Sequence, residues 1–351
     1  MKKVRQSNFE LLRIIAMFLV LVVHADYLSI GPPTSLDATN FPLSTFMRIT
    51  TESLSIICVN VYILISGFFL IRLTKQKIFS FIFMIEFWRV FILFLYYVTN
   101  RWFQLEETEL TGEQILLYLI PGEDDWFVQA YILLMLLSPL LNSFIDNSST
   151  KQIAKFTCTW IIFQFCFNWS SSVYPMFAHG YSILSFIGLY TLGALIRKKS
   201  TRFKFRWGTY FNSYLGFSIL IGLIVLILLS HDSFIKFGNI INRKAYDYNG
   251  LIVLISSLLF FLSFMKMSFK SKFINSVAVS CFAVYLVHMN PLIRGLYIKA
   301  CKYIYSTYNG LDYLIMISLF IIGVYVVSIL FDRVRIVSFS VTLRLLKTGL
   351  T

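Results

Sequence analysis

Acidic side chains are scarce in this sequence: 17 Asp and Glu stand against 31 Lys and Arg, and all charged residues together make 14% of the 351. Soluble domains carry about 25%. Together with 58% apolar residues and a mean hydropathy of +0.74, that scarcity excludes an ordinary soluble globular protein. Cysteine is also sparse. Cys58, Cys158, Cys166, Cys281 and Cys301 are odd in number, lie mostly in apolar runs and lack metal-ligand spacing, so they are expected to be small core residues and no metal is expected. Period-two alternation broken by frequent turns is missing too, which removes a membrane β-barrel. No internal repeat, low-complexity linker or appended soluble segment is visible, so 1–351 reads as a single integral membrane domain.

What the chain does have is long apolar runs. They fall at about 13–30, 52–71, 79–99, 126–145, 153–169, 181–196, 209–230, 250–266, 274–293 and 313–331, lengths that suit spanning helices. The expected fold is therefore all-α, a polytopic transmembrane bundle of about ten helices. The first run is too long for a signal-peptide core and lacks a small-residue cleavage site, which makes it a retained helix. With the amino terminus in the cytoplasm, most of the 31 basic residues fall on the cytoplasmic side, including Arg197, Lys198, Lys199, Arg202, Lys204 and Arg206. Arg48, Lys236, Arg243 and Lys244 are among the few placed outside. The positive-inside rule thus puts both termini in the cytoplasm, and the formal charge of +14 reflects topology rather than nucleic-acid binding.

The first run carries two ionisable groups, Arg13 and His24. Their spacing sets them within about 20° on one helix face and about 16 Å apart along the axis. Ionisable groups at membrane depth are costly and normally face a bundle interior or a water-filled cavity, so the pair is expected to look into one cavity at two depths. A snorkelling anchor at Arg13 and a satisfied interior histidine at His24 are the structural alternatives.

Other candidates follow in order. Ser66-Gly67 allows close backbone approach, and Asn60 needs a partner at depth. Glu86 and Arg89, at i and i+3, either satisfy each other or hold an anionic ligand group between them. The acidic segment from Gln104 to Asp125 reads mostly as a solvated face, and His179 and His231 read as incidental loop histidines. The basic loop after Arg197 suits anionic headgroups or the phosphates of a soluble ligand. In the ninth run, His288 stands just before an Asn290-Pro291 break, at a depth similar to that of His24.

These motifs together resemble the acyltransferase-3 family of integral membrane acyltransferases, whose bacterial members O-acetylate surface glycans. The resemblance rests on Arg13 and His24 flanking ten residues, Ile65-Ser66-Gly67-Phe68, Trp126-Phe127 with Tyr131 and Ser138-Pro139-Leu140, Leu192-Gly193-Ala194 with Arg197, and Tyr285 to His288. Family members commonly bring several arginines and a proline to the start of the third helix, where this chain has Arg89 alone. With no hydrolase-like extension in view, it is similar to the stand-alone form.

The resemblance implies an O-acetyltransferase that moves an acetyl group from cytoplasmic acetyl-CoA, as co-substrate, to a hydroxyl of a cell-surface or lipid-linked glycan. Such a protein is multi-pass in a bacterial inner or plasma membrane. It implies His24, then His288, as base or acyl carrier, and Arg13, Arg89, Ser66 and Arg197 on the donor side. The competing class is a transporter or flippase for a glycan lipid or small anion. That class predicts broken helices at matching places in two halves, and no half-to-half correspondence is visible.

Overall fold

The structure is a computed structural model that describes residues 5–103, 110–122, 125–170 and 178–348. Among the described residues it is helical with no strand, the all-α polytopic fold that the apolar runs demand. All ten expected runs fall on helices. Among the described residues six helical stretches are long and apolar enough to cross a membrane, at 7–28, 42–69, 75–100, 126–147, 207–230 and 310–342, and a bent pair, 272–288 with 291–307, makes up to seven. Exposed aliphatic side chains such as Leu220, Leu223, Ile227, Leu319, Leu330 and Val327 would be untenable in water and fit a lipid surface. The protein is a multi-pass membrane protein.

The chain packs as two compact units, residues 1–72 with 130–278, and 73–129 with 279–351. In the first unit, α1 (Ser7–Val23) runs into a π-helical turn, His24–Leu28. A short α2 (Ser35–Asn40) leads to α3 (Pro42–Ser55) and α4 (Cys58–Phe69). The greater part of α7 (Trp126–Asn147) belongs here, with α8 (Thr150–Ser170), α9 (Ile183–Lys198), α10 (Trp207–Ser230), α11 (Ile235–Lys244), α12 (Leu251–Met265) and α13 (Lys272–Val277). The second unit holds α5 (Lys75–Phe103), α6 (Gly112–Leu119), α14 (Cys281–His288), α15 (Pro291–Thr307) and α16 (Gly310–Thr348).

Small residues decide the closest packing in the first unit. A β-carbon placed on Gly67 of α4 would lie 2.0 Å from the carbonyl oxygen of Tyr190, and one on Gly193 of α9 would lie 2.4 Å from that of Leu64. The two helices therefore meet backbone to backbone, as Ser66-Gly67 foretold and in the manner of small-residue membrane contacts. Below them Phe9 of α1 packs on Phe68, Phe69 and Phe261, with ring centroids 4.9, 4.9 and 5.6 Å away. The start of α1 is tied down by Asn8, whose Nδ2 donates to Phe264 O at 2.9 Å, and by Ser7, whose Oγ accepts from Ser271 N at 2.9 Å. Asn60 finds its partner in Tyr248 O, to which Nδ2 donates at 2.8 Å.

Two expectations are corrected. Cys58, Cys281 and Cys301 are core residues, but Cys158 and Cys166 lie exposed on α8, where the apolar run has an outward face. Arg48, placed outside ahead of the 52–71 run, is buried in α3, which joins α4 in one apolar stretch that begins at Pro42.

Candidate active site

The α-helical run from Ser7 to Val23 is unbroken and His24 itself keeps right-handed helical dihedrals, φ −73° and ψ −26°. Arg13 thus lies within the α-helix and His24 directly at its C-terminal end. Both are half-buried. Arg13 is held by Glu10 one turn earlier, Nη1 to Oε1 2.8 Å, and Glu10 is itself buried. Glu10 was not singled out in the sequence, although an acid three residues before an arginine at a helix start is a readable signal.

Arg13 and Ser66 are joined through Tyr62. The Tyr62 hydroxyl donates to the main-chain oxygen of Arg13 at 2.7 Å, and Ser66 Oγ, one turn on, donates to Tyr62 O at 2.9 Å. Ser66 Oγ also lies 3.2 Å from the hydroxyl of Tyr131 on α7. Next to this group, Tyr190 of α9 donates to Asn142 Oδ1 at 2.7 Å and accepts from Ile71 N at 2.8 Å. Three of the motif segments, on α1, α4 and α7, thus share one hydroxyl-rich cluster. Arg197 sits exposed in the last turn of α9, whereas its neighbour Lys198 is spent on the carbonyls of Ile145 and Ser148, at 2.5 and 3.3 Å.

The π-helical turn begins at His24 and is a feature the apolar pattern did not reveal. Ser29 Oγ donates to His24 O at 2.6 Å, and the N–H groups of Ile30 and Gly31 converge on Asp26 O at 2.7 and 3.2 Å. Asp26 is paired with Arg48: Nε donates to Oδ1 and Oδ2 at 2.9 and 3.1 Å, and Nη2 to Oδ1 at 2.5 Å. Glu52, one turn beyond Arg48, is buried too. None of these three was singled out in the sequence. Asp26, an acid two residues past His24 in an otherwise apolar stretch, was the signal that could have found them.

In the second unit Arg89 is buried, and its partner is not Glu86. It forms an ion pair with Asp125 and donates to Tyr118 O, while the Tyr118 hydroxyl returns a bond to Arg89 O at 3.0 Å. Asp125 is therefore no part of a solvated face. α6 packs on α5, and Gly122 N also donates to Asp125 Oδ2 at 3.2 Å. Glu86 instead lines an apolar groove with Phe83, Phe87, Val90, Phe91 and Phe94. Of the other acids of that segment, Glu113 is exposed on α6, as a solvated face requires, and Glu106, Glu107, Glu109, Glu123 and Asp124 lie outside the described residues.

His288 is the last residue of α14 and is buried, with Nδ1 2.6 Å from Val284 O. A carbonyl can only accept, so Nδ1 carries the proton and the tautomer is fixed. The helix then breaks where the sequence placed it: Asn290 Oδ1 caps Leu292 N at 3.0 Å, Pro291 opens α15, and the two helices meet at 84°. Asn290 Nδ2 also donates to the Tyr118 hydroxyl at 2.9 Å. His179, expected to be incidental, lies 3.1 Å from Asp247 Oδ2. His231 is exposed at the end of α10.

The sequence profile of the acyltransferase-3 family, described as an acyltransferase domain, matches residues 6–333. The chain belongs to the acyltransferase-3 family. Membership covers nearly the whole chain, from the first turn of α1 into α16, so every motif described above lies within it. Neither a curated protein nor a solved structure matches the chain.

Proposed function

We propose that this acyltransferase-3 member is an O-acetyltransferase that passes the acetyl group of cytoplasmic acetyl-CoA to a hydroxyl of a cell-surface or lipid-linked glycan. The observation that supports the reading is an α-helix, continuous from Ser7 to Val23, that carries Arg13 and sets His24 directly at its end, inside an acyltransferase domain. In this reading the acyl group crosses the barrier while the nucleotide stays in the cytoplasm.

Each residue then has a chemical task. Arg13 pairs with a donor phosphate or the acyl carbonyl, as a guanidinium does through its planar fork, and Arg197 with the basic residues after it draws the anionic nucleotide. Ser66, Tyr62 and Tyr131 supply hydroxyls beside Arg13. An anion contact at Arg89 requires Asp125 to yield, since the carboxylate already occupies the guanidinium. His24 takes the proton of the acceptor hydroxyl as its oxygen attacks the thioester carbon; the carbon–sulfur bond breaks, and the proton passes to the departing thiolate. His288, with its tautomer fixed by Val284, is the second candidate for this base.

Family membership favours acyl transfer over the transporter or flippase reading, and among the described residues a single helix pair is sharply bent rather than a matched pair in two halves. The test is transfer of isotope-labelled acetyl from acetyl-CoA to envelope glycan in cells with and without the gene. Label that depends on the protein supports the reading, and label unchanged by its deletion overturns it.

A further inference from the structure

We propose that Asp26 and Arg48 are a positioning pair for His24, clamping the π-helical turn that begins at the imidazole-bearing residue; this rests on the reading of His24 as the base. A π-helical turn is rare and poorly bonded, and it persists where its surroundings hold it. Here one guanidinium holds it at two points. Arg48 grips the carboxylate of Asp26 with Nε and Nη2, and the same Nη2 donates to Gly31 O at 2.5 Å, just past the end of the turn. Gly31 has φ +97°, a conformation open to glycine, and its N–H points back to Asp26 O at 3.2 Å. Ser29 closes the other side by its 2.6 Å bond to His24 O.

A third ionisable group is buried close by: Glu52, only 3% exposed, stands one turn on from Arg48 along α3. Three ionisable groups buried at membrane depth are expensive, and a buried ion pair contributes little net stability, so its use lies in specifying one conformation. The conformation specified is that of His24. Two residues apart in a helical turn fall on nearly opposite faces, at about 160–200°. The clamp therefore holds the back of the turn at Asp26, 8% exposed, and leaves the opposite face to the half-buried His24.

The experiment exploits the fact that the chain has four histidines. The full-length protein, with isotope-labelled histidine, is placed in lipid nanodiscs, and the side-chain resonances of His24, His179, His231 and His288 are assigned by single substitutions. Asp26→Asn and Arg48→Met are expected to shift or split the His24 resonance while leaving that of His288 in place. Arg48→Lys, which keeps the charge and loses the fork, is expected to do so partially. In parallel, acetyl transfer should fall about 100-fold in kcat, the cost of a misplaced catalytic group, with KM for acetyl-CoA unchanged.

A His24 resonance that ignores both Asp26→Asn and Arg48→Met overturns the proposal. Where either variant also moves His288, the fold has been disturbed, and the response of His24 to Arg48→Lys then decides for or against. A wild-type protein that transfers no acetyl, with a His24 resonance that still answers to the clamp, would defeat the base assignment and leave the clamp standing.

Discussion

The α-carbon of Gly67 faces the main-chain carbonyl of Tyr190 so closely that a methyl group on it would fall 2.0 Å from the oxygen. Both partners are backbone, so no rotamer can relieve the clash. The contact joins the residue beside Ser66 to the helix whose last turn carries Arg197, two of the candidate donor-side positions. Gly67→Ala is expected to destabilise the protein by about 3 kcal/mol, at the upper end of overpacking costs. Thermal unfolding in detergent should show a clear fall in Tm, with Gly193→Ala behaving the same way for its 2.4 Å approach to Leu64 O. An unchanged Tm for both would contradict the packing of α4 on α9.

The buried pair of Arg89 and Asp125 predicts a strong coupling. Removing one partner leaves an uncompensated buried charge, at a cost of about 3–5 kcal/mol, whereas replacing both by apolar groups is far milder. A double-mutant cycle with Arg89→Met and Asp125→Leu, read by denaturation in detergent, should therefore give a double variant more stable than either single one. If Glu86 were the true partner, Glu86→Leu would show that rescue in place of Asp125→Leu.

Both termini are expected on the cytoplasmic side, from the distribution of basic residues. Reporter fusions active only in the cytoplasm, attached at either end of the chain, should both be active. A reporter silent at one end would require an odd number of crossings.

Much of this architecture was legible in the sequence. Each apolar run became a helix because backbone groups in lipid have no other partner, and the break after His288 was written in Asn290-Pro291. The backbone contact at Gly67 was legible for the same reason, since only a small residue permits it. The partner of Arg89 was not. Asp125 lies 36 positions away in an acidic segment, and charge pattern does not say which acid folds back. The π-helical turn was also hidden, because it closes the helical stretch and no later turn follows to show the phase shift of an extra residue. Arg48 was counted among the outer basic residues and Glu52 stands at the first position of the 52–71 run, so neither read as buried until the pairing of Arg48 with Asp26 was seen.

The imidazole of His24 carries the proposed chemistry. Membranes holding wild-type or His24→Ala protein, matched for insertion and for Tm, can be given acetyl-labelled acetyl-CoA and their envelope glycan measured for label. General-base catalysis contributes about 10² to 10⁴ in rate, so the variant should lose at least about 100-fold of the transfer. Transfer close to wild type in His24→Ala would remove this histidine from the chemistry and contradict the account.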